Sequence, residues 1–222
     1  MDTTNQITTY VRRRTFSNSV SYPNADALID LNVRYRRVIT AITSKVQDFF
    51  WTWGSSDTTT TQNEYTIDTF TFGDTFERDI ISIDSVAVKF RASNDYYKLN
   101  KGAFSALDFD FSNYTDWAGD PFYFVNDTSI FIAPNPLENV TGGLRIYGNY
   151  RPLDLTLSDS TAEIKIPLLY TYILAEGMCA DYWTSQGKYD VANVFEARFN
   201  EGIQTMVNNL SIRDREIMSY NY

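Results

Sequence analysis

One run near the C-terminus limits what this chain can become. Residues 167–186 read PLLYTYILAEGMCADYWTSQ. Pro167 suits a first helical turn, where its missing N–H costs nothing. Leu168, Tyr172, Ala175, Cys179 and Tyr182 recur at helical spacing. Leu169, Tyr170, Ile173, Leu174, Met178 and Trp183 widen that stripe almost around the whole helix. A helix apolar on most sides cannot lie half in water, so it needs cover beyond a single core face. Gly187 separates it from a second, ordinary amphipathic helix over 188–210. There Phe195, Phe199, Ile203, Met206 and Leu210 line one face, and Glu196, Asn200 and Gln204 fall elsewhere. This pair is expected to be both core and mating surface, with subunit contacts at Leu169, Tyr170, Ile173, Leu174, Met178 and Trp183.

The same period appears near the N-terminus. Asn24 reads as an N-cap and Asp26 as a first-turn acid. Leu28, Leu31, Tyr35, Val38, Ile42, Val46 and Phe49 then step by three and four, which predicts a helix over 24–53 closed by Gly54. Arg34, Arg36 and Arg37 are placed off that stripe. Residues 1–23 lack a clear period and read as an arm or loop carrying Arg12, Arg13 and Arg14. The polar run 55–63 reads as a loop.

Between these helices the period changes from 3.6 to 2. Tyr65, Ile67, Thr69 and Thr71 alternate with Thr66, Asp68, Phe70 and Phe72, and 79–90 continues as a β-rich run. Residues 122–125 and 130–132 read as a hairpin turning at Asn126-Asp127, with Pro134 and Pro136 ending it. Gly142-Gly143 reads as a turn before a returning strand from Leu144. The expected class is α+β: an α-helical bundle of one N-terminal and two C-terminal helices, with an inserted antiparallel β-sheet region. The boundaries are an arm at 1–23, a helix at 24–53, a β-rich insertion at 54–166, a helical hairpin at 167–210 and a docking tail at 211–222. That tail offers Ile212, Ile217, Met218, Tyr220 and Tyr222 among its charges.

Composition excludes more than it assigns. The chain has no histidine, which removes Ser-His-Asp and Cys-His catalysis and leaves zinc chemistry without its usual ligand. Its one cysteine, Cys179, sits in the apolar helix and reads as a small buried hydrophobe. A net charge of −9 argues against a general nucleic-acid surface. No stretch approaches the roughly 20 apolar residues of a membrane span, and 1–14 lacks the apolar run of a signal peptide. Asp108, Asp110, Asp116 and Asp120 are the densest carboxylates. As a calcium loop they lack the sixth-position glycine, here Asn113, and the twelfth-position glutamate, here Gly119. Alternation with Phe109 and Phe111 fits a strand with one wet face better. We expect no catalytic residue, cofactor or resident metal.

Three blocks carry a resemblance to a known family. They are the helix DALIDLNVRYRRVITAI with the aromatic run 49–53, the stretch GDPFYFVNDTSIFIAPNP with LRIYGNYRPLDLTLSDS, and the helical pair from Ile166 to Met206. Together they resemble the head-to-tail adaptor (connector) proteins of tailed bacteriophages, over about residues 24–210. The pattern departs at Tyr65-Thr66-Ile67-Asp68, where relatives have Tyr-x-Leu-Pro. The resemblance implies a virion structural protein at the head–tail neck, assembled in the host cytoplasm into a homo-oligomeric ring, typically of about twelve copies. Its partners would be the portal protein and a downstream tail or neck protein. Genome DNA would pass through the channel without specific binding at ejection, and no membrane is involved. Portal or tail docking is expected at the arginine cluster and the C-terminal tail. The alternatives are another virion structural protein (tail-completion or capsid-decoration) and a carbohydrate-binding β module built around Trp117 and Tyr123.

Overall fold

A computed structural model describes residues 3–46, 49–72, 78–102, 121–156 and 164–219; the side chains of 78–79 and 212–219 are not described. The chain is α+β. It divides into two compact units, one of Met1–Phe49 with Arg151–Tyr222 and one of Phe50–Tyr150.

Among the described residues the first unit holds the α-helices α1 (Thr4–Thr15), α2 (Asn24–Thr43), α3 (Tyr172–Ser185) and α4 (Tyr189–Ser219). The segment read as an irregular arm is therefore α1. Its inward face is Thr4, Ile7, Thr8, Val11 and Thr15, which keep helical spacing while alternating hydroxyls with apolar groups. Two of the inward hydroxyls are satisfied on their own helix: Thr8 donates to Thr4 O at 3.0 Å and Thr15 to Val11 O at 2.9 Å. Thr3 caps the start by accepting from Gln6 N.

α2 ends at Thr43, about three turns before the expected stop. Pro23, not Asn24, stands at its N-cap position, and the Asn24 side chain instead accepts from Arg12. A 3-10 turn over Leu168–Tyr170 precedes α3, so the all-apolar helix begins at Tyr172 rather than beside Pro167. α4 continues unbroken through Ser219, and most of the expected tail is its last turns. α3 packs against α1, α2 and α4.

The second unit is two sheets on one core. β1 (Trp51–Thr58), β3 (Thr71–Phe72), β4 (Arg78–Val88), β5 (Tyr97–Lys98) and β9 (Val140–Pro152) form a sheet in the order β3-β1-β9-β4-β5; Arg151 and Pro152, the last residues of β9, belong to the first unit. β2 (Glu64–Thr66), β6 (Asn100–Lys101), β7 (Phe122–Asn126) and β8 (Ser129–Ala133) form another in the order β2-β8-β7-β6. The predicted hairpin is β7–β8, paired from Phe122↔Ala133 to Asn126↔Ser129. Three expectations fail here. The aromatic run 51–53 and most of the polar run after it are strand β1, paired with β9 from Trp51↔Asn149. Gly142-Gly143 lies within β9, not in a turn, with Gly142 at φ 62° beside a register shift. The sheets are not wholly antiparallel, because β6 and β7 run parallel. Tyr65, Val86, Val88, Phe90, Tyr123, Ile130, Ile132, Leu144 and Ile146 fill the shared core. Entry and exit of this unit are tied together: Tyr150 N donates to Phe50 O at 3.1 Å, and their rings meet edge to face at 5.7 Å.

Candidate assembly surface

The helices are locked by charge as well as by apolar packing. Arg34 lies three residues after Leu31 and four before Val38, so it points inward with them and is buried. Its Nε and Nη2 donate to Asp181 of α3 at 2.7 and 2.5 Å, and its Nη1 donates to Glu196 of α4 at 2.6 Å. Arg37 donates to the other oxygen of Glu196 at 2.7 Å and to Asn200 at 2.8 Å. Both guanidinium groups stand over the Phe199 ring, at 4.8 and 5.1 Å. Burial alone would raise the Glu196 carboxyl, but the hydrogen bonds from Arg37 and Arg34 hold it below the ordinary value. The clamp needs Gly177: a Cβ there would stand 2.8 Å from Arg34 Cδ and 2.9 Å from Phe199 Cδ2.

A second clamp joins α1, α3 and α4. Glu176 of α3 is buried between Arg14 Nη2 at 3.6 Å and Arg198 Nη1 at 3.8 Å. Cys179, one turn on, is fully buried, and that burial with the nearby Glu176 pushes its thiol up to about 12. It stays a neutral packing group.

The segment leaving β9 lies along α2. Asn32 pairs with Leu155 as a strand neighbour would, donating to its O at 3.0 Å and accepting from its N at 2.7 Å. Arg36 grips Asp154 through Nε, at 2.7 Å, and Nη2. These hydrogen bonds hold the Asp154 carboxyl below its usual range. Tyr35, Ile39, Pro152 and Leu153 with that ion pair line a groove of about 440 Å³.

Cover for the all-apolar helix thus comes largely from its own chain. Ile173, Leu174 and Met178 are fully buried within the unit. Tyr170 is buried, and its hydroxyl accepts from Asn209 at 2.7 Å. Trp183 is half-buried, edge to face with Tyr182, with Lys188 over its ring. Of the six expected contact residues, Leu169 alone is well exposed, at 75 %, in a strip with Leu168 and Tyr172. Ile29 and Val33 on α2, and Val191 and Val194 on α4, are further exposed apolar pairs.

The arginine cluster is also partly occupied. All three residues sit in the last turn of α1, where positive charge complements the carbonyl end. Arg12 donates to Tyr22 O at 2.8 Å and Asn24 Oδ1 at 2.7 Å; Arg14 faces Glu176; Arg13 is exposed. Beyond them Phe16 takes a left-handed backbone, φ 57°, with its ring 93 % exposed, and Val20 follows in the same loop. Ile212, Ile217 and Met218 lie on α4, but their side chains fall outside the description, as do Tyr220, Tyr222 and the whole Asp108–Asp120 and Trp117 region. Tyr123, the other proposed sugar-stacking ring, is buried in the core of its unit.

A surface that sequence reasoning missed lies on the five-stranded sheet. Leu144 and Ile146 of β9 face the core, so Arg145 and Tyr147 face away from it. Trp51 stacks on Tyr147 at 5.6 Å, and the Arg145 guanidinium stands 4.6 Å from the Trp53 ring and 3.9 Å from that of Tyr96. Lys89 lies over the Tyr96 ring at 4.8 Å. The signal is period-2 spacing, Trp51-x-Trp53 and Arg145-x-Tyr147, but the first pair also continues the helical spacing that precedes it.

Among the described residues no group of three or more His, Cys, Asp or Glu side chains could hold a metal ion, and no helix is long and apolar enough to cross a membrane. In comparisons with known proteins, the family model described as SU10 adaptor protein matches residues 3–221. No curated protein matches the chain.

Proposed function

The chain belongs to the SU10 adaptor protein family, a family of structural phage adaptors, and from that premise we propose that its copies form a ring docked on the portal of a tailed phage. The ring joins capsid to tail at the neck of the virion and lines the channel through which DNA leaves. The observation that carries this reading is the family match across nearly the whole chain, 3–221. Several features support it. Adaptor rings use heterologous contacts, which close when the rotation between copies allows, and the family resemblance implies about twelve copies. The helical unit, which we read as the bundle forming the body of the ring, offers apolar strips for such contacts. They are Leu168, Leu169 and Tyr172 at the start of α3, Val191 and Val194 on α4, and Ile29 and Val33 on α2. A net charge of −9 suits a conduit, because like charge keeps a passing duplex from adhering.

Docking to the portal and to the next tail or neck protein falls to the two chain ends. At one end the last turn of α1 presents Arg13, and the exposed loop after it presents Phe16 and Val20. At the other, α4 runs to Ser219 and carries Ile212, Ile217 and Met218 toward Tyr220 and Tyr222. Electron microscopy of the particle neck tests the whole reading: the expected result is a ring of density that fits this fold between portal and tail. A neck that lacks the chain refutes it. Deleting residues 211–222 tests the docking role of that end, with loss of the chain from particles expected and unchanged particles refuting it.

A further inference from the structure

The β unit bears two exposed patches of opposite character. One is the platform of Trp51, Trp53, Arg145, Tyr147, Tyr96 and Lys89. Trp51 and Trp53 leave 48 % and 39 % of their surface in water, which folding alone does not reward. Trp, Tyr and Arg are also the residues that dominate binding energy at protein interfaces. The other patch is the β2 edge of the four-stranded sheet. Glu64 on β2, Asp68 in the 3-10 turn after it, and Asp127 at the β7–β8 turn are all exposed. Ile67 N donates to Thr128 O at 2.8 Å, which holds the Asp68 turn against the Asp127 turn. Three exposed carboxylates thus lie on or next to β2 and β8, and among the described residues β2 is paired on one side only, with β8.

We propose that the aromatic–cationic platform of one copy receives the acidic β2 edge of the next copy around the ring. The inference rests on the ring reading and adds to it a contact made by the β unit. A ring of identical copies needs two different, complementary patches on each copy. These two are complementary in charge, and they belong to one chain whose excess charge is negative. A nucleic acid is a poorer occupant, because the same sheet face carries Asp84, which accepts from Asn149 at 3.2 Å. A polyanion would meet that carboxylate, whereas an acidic edge of limited size settles on the two cations and the indoles.

The test uses the full chain in assembled particles, with the photo-crosslinker benzoylphenylalanine in place of Trp53 and copies of two isotopic compositions. Crosslinks are expected to join position 53 of one copy to peptides containing residues 64–68 or 126–128 of another. A companion series reverses charge. Arg145→Glu is expected to lower the neck-bound copies about tenfold, the loss of a close charge pair. Arg145→Lys should retain them, and adding Glu64→Lys and Asp68→Lys to Arg145→Glu should restore them. Circular dichroism checks that each variant is folded. Crosslinks that fall on a different protein, on DNA or only within the same copy overturn the inference, as does a folded reversal that the compensating changes do not restore. Particles that hold the chain in a ring without this crosslink leave the functional reading standing and refute the β-unit contact. Particles without the chain refute both.

Discussion

Replacing Arg34 by methionine tests the charged clamp that joins α2, α3 and α4. Arg34 makes three short charge-assisted hydrogen bonds, two to Asp181 and one to Glu196. Removing one partner of a buried ion pair typically costs about 3–5 kcal/mol, mostly because the other charge is left unpaired. Here the carboxylates are not fully enclosed: the side chains of Asp181 and Glu196 keep 27 % and 31 % of their exposure, so water can reach them. Arg37 also continues to hold Glu196. Those two facts bring the expected loss down to about 2–3 kcal/mol. Methionine keeps most of the stem that packs against Gly177 and Phe199. Alanine does not, and should cost roughly 1 kcal/mol more.

The assay is urea unfolding followed by the helix signal in the far ultraviolet, on Arg34→Met, Asp181→Asn and the double variant. Residues in one ion network should couple, and the cycle should return an interaction of at least about 1 kcal/mol. Arg34→Lys should fall between parent and methionine, since a lysine cannot fork onto two carboxylates. An Arg34→Met variant within about 0.5 kcal/mol of the parent would refute the argument. So would an Asp181→Asn cost that is the same with and without the arginine.

Further outcomes follow from individual contacts of the helical unit. Gly177→Ala gains about 1 kcal/mol of helix propensity, but its Cβ meets Arg34 and Phe199 under 3.0 Å; overpacking should win and lower the urea midpoint by about 1–2 kcal/mol equivalent. Burial raises the Asp30 carboxyl above its ordinary value, and the hydrogen bond from Tyr22 only partly offsets this. The fold thus favours protonated Asp30, and its contribution to stability grows as pH falls through the folded value. Asp30→Asn keeps an acceptor for Tyr22, so it should be no less stable than the parent at neutral pH and should flatten that part of the pH profile. Glu196, held low, has the opposite sign: its contribution is present above the ordinary carboxylate value and lost as pH falls through the folded one. Phe16→Gly should raise stability by about 1 kcal/mol in thermal unfolding, because it relieves the left-handed backbone while the exposed ring contributes little inside the chain. Asn32→Ala should cost about 1–2 kcal/mol and speed amide exchange at Leu155, whose N–H loses its acceptor.

Why some elements were legible and others not is a question of which atoms carry the period. α2 and α4 announce themselves because leucine, tyrosine, valine, isoleucine and phenylalanine mark their inward faces. α1 has the same geometry written partly in threonines, two of which, Thr8 and Thr15, bond back onto their own helix, so a reading based on hydropathy sees only polar chain. Charge alone places Arg34 off the apolar stripe although its position is on the inward side; its partners Asp181 and Glu196 are about 150 residues away, and no local pattern announces them. Apolar spacing that runs on past Thr43 reads Trp51 and Trp53 as the end of a helix, yet β9 claims them as strand neighbours. α3 teaches the sharpest limit. Apolarity on every side established that the helix is enclosed, and it cannot say by whom. Here α1, α2 and α4 of the same chain enclose it, and its two acids are matched by arginines from those helices. Surface available to a neighbour is then expected where burial inside the chain fails: the 3-10 turn with Leu168 and Leu169, the left-handed Phe16, and the tryptophans on the outward face of β1.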